Sequence, residues 1–183
     1  MEFLQHIDES VLYFIQEHMT TPLLDWFFPL VTHLGDDGIL WILFALLMLF
    51  SRKYRKYGVM LAIALILSTL VGNTLIKPLI ARPRPCVVDP SVSLLIMRPS
   101  GFSFPSGHTL ASFAATSVFF AADRRFGWGA LTLSVLIAFS RLYLFVHYPS
   151  DVLAGVVLGL MCGVMAVACV SFFRHPKKAF AKR

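Results

Sequence analysis

Long apolar runs separated by short charged islands set the pattern of this chain. Residues 57–76 and 152–173 are uncharged and long enough to cross a bilayer as helices. Residues 106–122 make another such run, 126–140 crosses if it extends through 142–146, and 38–51 crosses if it begins near Leu34 with Asp36 and Asp37 at the interface. Residues 1–33 differ. Leu4, Ile7, Val11, Leu12, Phe14 and Ile15 form an apolar stripe with Glu2, Asp8, Glu9 and Glu17 off it, which suits an amphipathic helix lying in the membrane interface. The piece 26–34 holds Pro29 and His33 and lies along the interface, re-enters, or completes a sixth span. The pattern predicts an all-α, polytopic membrane helical bundle of five to six transmembrane helices, one domain over residues 1–183.

Composition agrees. A hydrophobic share of 57% and a mean hydropathy of +0.74 exceed what a soluble domain shows. The net charge of +6 does not point to nucleic acid, because the basic residues sit in short clusters between spans and form no basic face. Of three cysteines, Cys162 and Cys169 fall inside an apolar run as small core hydrophobes, and no disulfide or metal-binding spacing appears. Gly155, Gly159 and Gly163 recur every fourth residue in the last span, a pattern for close helix approach inside the bundle or in a dimer. The oligomeric state is not legible.

Charge fixes an expected orientation. With alternating spans, eleven basic residues share one side: Arg52, Lys53, Arg55, Lys56, Arg124, Arg125, Arg174, Lys177, Lys178, Lys182 and Arg183. Lys77, Arg82, Arg84, Arg98 and Arg141 share the other. The first side is then cytoplasmic, and the second faces outward.

Three polar islands gather on that outward side. The first is Lys77-Pro-Leu-Ile-Ala-Arg82-Pro-Arg84-Pro85. Pro78 is expected to take the chain out of the bilayer after Lys77, and the prolines stiffen a segment carrying Arg82 and Arg84, whose planar forks suit phosphate oxygens. Asn73, one turn before Lys77, faces the same interior. In the second island, Pro105-Ser106-Gly107-His108, the free N–H groups at a helix start offer an anion site, and His108 is placed to protonate a leaving oxygen. The third is Ser140-Arg141, five residues, His147, three residues, Asp151. Pro149 suits the first turn of the last helix, so Asp151 reaches back to one imidazole nitrogen of His147 and leaves the other free to attack. Ionisable groups beside hydrocarbon are functional candidates by default. Fixed cations, two histidines and a carboxylate together suit phosphoryl transfer. A metal site of His108, His147 and Asp151 is the rival chemistry, disfavoured by the cations around it.

In order and spacing these islands resemble the type 2 phosphatidic acid phosphatase (PAP2) superfamily: Lys, six residues, Arg-Pro; Pro-Ser-Gly-His; Ser-Arg, five residues, His, three residues, Asp. Every position of that pattern is present between residues 77 and 151. The resemblance implies a helical core shared with vanadium haloperoxidases, His147 as a nucleophile forming a phosphohistidine, Asp151 orienting it, and His108 as general acid. It implies Lys77, Arg84, Arg141, Ser106 and Gly107 as the phosphate holders, with no metal or other cofactor. It further implies a membrane lipid as substrate: undecaprenyl pyrophosphate, phosphatidylglycerol phosphate or phosphatidic acid, met at the outer face of a bacterial cytoplasmic membrane. Val87-Val88 and Leu94–Met97 lie between the first two islands, either as a lipid-facing surface beside the site or as a loop packed on the bundle. The competing functions are a non-enzymatic lipid-headgroup binding or transport protein and a vanadate-dependent oxidant.

Overall fold

The computed structural model describes residues 2–174, so Lys177, Lys178, Lys182 and Arg183 lie outside the described residues. Within that range the chain is helical, with no strand. Helix α1 runs Glu2–His18, α2 Pro22–His33, α3 Ile39–Phe50 and α4 Arg55–Ser68. The last of these passes without a break into a π-helical segment, Thr69–Ile76, and a single further turn, α5, Lys77–Ile80. A short α6, Pro85–Val88, and a long loop lead to α7 Gly107–Ala122, α8 Arg124–Tyr143 and α9 Pro149–Arg174.

Helix α7 occupies the middle, packed on α4, α8 and α9. It can do so because α9 turns a glycine stripe toward it. A Cβ added at Gly155 would lie 2.9 Å from the Ser106 carbonyl oxygen, at Gly159 2.5 Å from that of Leu110, and at Gly163 2.5 Å from that of Ala114. The four-residue repeat is therefore spent on contact between α9 and α7 inside the bundle. Around it sit Trp41, Leu61, Ala114, Ala115, Val118 and Ile137, all almost fully enclosed.

Among the described residues, three segments are long and apolar enough to cross a membrane, Arg55–Val88, Arg124–Tyr143 and Pro149–Phe173, or four if Pro22–His33 and Asp36–Phe50, bent by 42°, form one span. The 16 residues of α7 fall short of that length, and its central position shields it on most sides. The basic residues 52–56 gather at one end, where Tyr54 stacks near Phe126 of α8 with ring centroids 6.0 Å apart. Lys77 stands at the other end of the same helical rod, roughly 30 Å away at 1.5 Å per residue.

Details depart from the sequence expectation in informative ways. Pro78 does not end the helix, which runs on through Ile80, and the break comes at Ala81, with φ of 48°. The stripe on α1 splits, so that Leu12 and Ile15 turn inward beside buried Asp8 while Leu4, Ile7, Val11 and Phe14 stay exposed. Cys162 is buried as expected, but Cys169 is exposed on α9 and Cys86 is the other enclosed thiol.

Replacing Gly159 by alanine is expected to force α9 off α7 and destabilise the bundle by about 1–3 kcal/mol. Gly129→Ala serves as the control, since nothing lies within 4 Å of its added Cβ. Thermal unfolding in detergent should separate the two; equal midpoints would contradict the packing described.

Candidate active site

Each polar island reaches the site on a different element. Asn73, in the π segment, and Lys77, four residues on at the start of α5, lie one turn apart and line the same side. Arg84, extended before Pro85, follows on the loop, and Gly107 and His108 open α7. Arg141 stands in the last turn of α8. The 144–148 link then folds back, so that the amides of Val146 and His147 both donate to the Arg141 carbonyl, at 3.2 and 3.3 Å. This return, through Phe145 at φ 56°, makes Arg141 and His147 neighbours. Lys77, Arg84, Gly107, His108, Arg141 and His147 thus line one cavity of about 460 Å³.

Two predicted members sit behind its wall. Ser106 is fully buried; its hydroxyl accepts from Thr109 Oγ1 at 3.0 Å, and its amide donates to the Asp151 carbonyl at 3.1 Å. Asp151, in the first turn of α9 and also fully buried, lies behind His147.

The imidazole of His147 is clamped from both edges. Nε2 faces the cavity and lies 2.9 Å from Arg84 Nη1. A guanidinium nitrogen only donates, so Nε2 is the unprotonated nitrogen and the ring proton resides on Nδ1. Nδ1 lies 3.5 Å from Asp151 Oδ2. Ser103 completes this edge: its hydroxyl donates to the same Oδ2 at 2.5 Å and lies 3.3 Å from Nδ1. Burial pushes the His147 pKa down to about 3, Arg141 and Arg84 push the same way, and Asp151 opposes them. The ring is neutral at neutral pH, and the one lone pair of its two nitrogens, on Nε2, is met by Arg84 at the cavity wall.

The cations converge without carboxylate partners. Among the described residues no ion pair involves Lys77, Arg84 or Arg141. Arg84 is held by the carbonyls of Ser100, Gly101 and Val146 at 3.1–3.2 Å, dipoles that fix it without cancelling its charge. Arg141 donates from Nη1 to Thr32, while its Nε is buried with no hydrogen-bond partner among the described residues. Buried donors of this kind demand an acceptor. An anion between these groups would supply one.

His108 is fixed from the far wall. Asp36 Oδ1 lies 2.9 Å from its Nε2, and the other oxygen of Asp36 lies 2.7 Å from His33 Nδ1. Gly35 keeps the approach open, since an added Cβ would come within 2.8 Å of the His108 ring. Sequence reasoning missed Asp36 and Ser103 as site residues. Asp36 looked like an interfacial charge, and Ser103 carries no pattern. The only available signal for Asp36 was a charge at the border of an apolar run.

One expectation needs correction, and an open alternative is divided. Arg82 does not join Arg84 in the cavity; it turns the other way, toward Ser150 and Asp151. The apolar part of the cavity wall comes from Ile42, Leu65 and Ala111, not from residues 87–88 and 94–97. In that loop Leu94 and Ile96 pack on the bundle, whereas Val87, Val88, Leu95 and Met97 stay exposed. As for the rival metal centre, among the described residues no three histidine, cysteine or carboxylate side chains converge in a metal-holding group.

The chain is similar to known proteins in sequence and in fold. The PAP2 superfamily matches residues 53–175. An undecaprenyl-diphosphatase of Sulfolobus acidocaldarius is 31% identical over 128 residues, covering 69% of this chain, and the chain spans only 62% of that relative's length. A lipid A 4'-phosphatase of Bacteroides thetaiotaomicron is 31% identical over 175 residues, 87% of this chain and 75% of the relative. The crystal structure of a transmembrane PAP2 type phosphatidylglycerolphosphate phosphatase from Bacillus subtilis superposes with a TM-score of 0.78 at 26% identity, over 98% of this chain and 90% of that one.

A depressed histidine pKa makes stability pH-dependent. The unfolded chain binds a proton at His147 near pH 6.5, while the folded one resists until about 3. His147 thus weighs nothing against the fold above pH 6.5, and stability falls as pH drops from there toward 3. His147→Gln is expected to flatten this slope in detergent unfolding curves; parallel curves for the two proteins would refute it.

Proposed function

The chain belongs to the PAP2 superfamily, and from that premise we propose that it is a metal-independent phosphatase of membrane lipid phosphates or diphosphates. The observation that carries the reading is the cluster of Lys77, Arg84 and Arg141, unpaired with carboxylates, around the lone pair on His147 Nε2. Such a cluster suits a tetrahedral anion and neutralises charge as phosphoryl transfer proceeds.

The steps follow from the placement of the groups. The phosphoryl group docks on Lys77, Arg84 and Arg141, with Gly107 close enough for main-chain contact at the α7 N-terminus, where Ser106 anchors the turn. Nε2 of His147 attacks phosphorus in line. The bond to the leaving oxygen breaks, its electron pair departs with that oxygen, and His108 supplies the proton. Asp151 and Ser103 hold the Nδ1–H side as positive charge develops on the imidazole. Water then attacks the phosphohistidine, His108 takes its proton, and the phosphorus–nitrogen bond breaks to release phosphate.

Relatives act on undecaprenyl diphosphate, lipid A and phosphatidylglycerol phosphate by their names. The apolar wall of Ile42, Leu65 and Ala111 suits a lipid tail that shares the same cavity. We further place five or six helices across the bacterial cytoplasmic membrane, with residues 52–56 inside and the cavity outside, as the positive-inside rule favours. Residues 1–183 then form one catalytic domain, with α1 along the interface.

Phosphate release by the detergent-solubilised protein from undecaprenyl pyrophosphate, phosphatidylglycerol phosphate or phosphatidic acid should persist in excess EDTA. His147→Ala should reduce it by about 10³-fold or more. Loss in EDTA with recovery on adding zinc would overturn the metal-free reading.

His108→Ala is expected to lower the rate on an alkyl phosphate by about 10²-fold or more. The loss should be much smaller on an aryl phosphate, whose leaving group needs no proton. Asp36→Asn should follow the same pattern more weakly. Equal losses on both substrates would remove His108 from the acid role.

A further inference from the structure

We propose that Asp8 and Arg82 are positioning residues for His147, forming a charge chain Asp8–Arg82–Asp151 that makes the N-terminal helix part of the nucleophile's support. What His147 does is taken from the phosphatase reading; the chain itself stands on geometry.

Arg82 lies between two enclosed carboxylates. Its Nη1 donates to Asp151 Oδ1 at 2.8 Å and to Ser150 Oγ at 2.7 Å. Its Nη2 donates to Asp8 Oδ2 at 2.7 Å and to Gln5 Oε1 at 2.5 Å. Those four bonds use every hydrogen on the two terminal nitrogens, so the guanidinium fork has no pair of donors left for phosphate. The guanidinium carbon also rests 3.9 Å over the ring of Tyr148, the residue next to the nucleophile.

Both oxygens of Asp8 are likewise occupied. The residue is 1% exposed on a helix that leaves Phe3, Ile7 and Phe14 uncovered. Its Oδ1 accepts the Ser150 amide at 2.8 Å, and its Oδ2 accepts the Ser150 hydroxyl at 2.5 Å besides Arg82. The start of α9 is therefore pinned by a residue of α1, 142 positions away in the chain. Asp151 receives Arg82 on Oδ1 and Ser103 with the Tyr148 amide on Oδ2, which fixes the face it presents to Nδ1.

Removing Arg82 leaves two buried carboxylates without their shared cation. The Asp151 carboxyl would then turn or take up a proton, and the imidazole would lose the partner that keeps its proton on Nδ1. The attacking lone pair on Nε2 would be present for only part of the time. The cation cluster on the other side of the ring would remain intact.

The test separates turnover from phosphate binding, with orthovanadate as the probe of the cation cluster. Arg82→Met is expected to lower kcat about 100-fold while KM and the vanadate inhibition constant stay as in the wild type. Arg82→Lys, which keeps the charge but not the fork, should recover part of the loss. Histidine 15N spectra in micelles should show a single Nδ1–H tautomer at His147 in the wild type and a mixture in Arg82→Met and Asp8→Asn. Weakened vanadate inhibition in Arg82→Met would make Arg82 a phosphate ligand and overturn the proposal. Should Arg82→Met fail to fold, the near-isosteric Asp8→Asn decides: wild-type kcat with an unchanged tautomer overturns it. A wild type inactive on every lipid phosphate sinks the phosphatase reading, and the spectra still decide the coupling.

Discussion

Repulsion among Lys77, Arg84 and Arg141 is the force that the rest of the molecule has to contain. Each close pair of like charges in a partly dry site opposes folding by a few kcal/mol, on the order set by an effective dielectric near 20. Local sequence does nothing to relieve it, because no carboxylate pairs with any of the three among the described residues. The containment comes from main-chain carbonyls on Arg84, from Thr32 on Arg141, and from the close seating of α9 on α7. An anion of high charge is the natural complement, and its arrival would replace this repulsion with attraction.

The two histidines carry their carboxylates in opposite senses. Asp151 works from behind, fully enclosed, against the nitrogen of His147 that never meets the cavity. Asp36 works from the rim, where it is shared with the exposed ring of His33. An enclosed carboxylate keeps one tautomer. A carboxylate at the rim, shared with an exposed imidazole, leaves a route for protons between the cavity and water. That division is what the proposed roles ask for, a nucleophile that stays deprotonated and an acid that is recharged on every cycle.

Much of this is legible in the order of the amino acids alone. The span pattern located the helical rods, and alternation alone placed Lys77, Arg84, His108, Arg141 and His147 at one end of them. What stayed open depends on which face of a helix docks. Asp8 looked like an ordinary charge on an amphipathic helix, yet the docked face of α1 is the one that buries it with Leu12 and Ile15. Arg82 and Arg84 look alike in the chain, but they leave it in different directions, and only Arg84 enters the cavity. Asp36 and Ser103 belong to connections whose path no periodicity describes. Cys169 was placed inside by its apolar surroundings, although a helix side facing lipid is as apolar as one facing protein.

The rod that ends in the π segment at Thr69–Ile76 sets a limit on how this scaffold tolerates change in length. In a regular helix each residue advances the direction of the next by about 100°. Deleting a single residue from the regular stretch Arg55–Ser68 would turn the rod beneath Lys77 by that angle, whereas the π stretch can give up one residue by tightening to an α turn. The residues between Val88 and Pro99 face no such restriction, because their ends are tied independently to the bundle. Natural variation in size should therefore collect in that outer loop, while the regular stretch of the rod beneath it keeps a constant number of residues.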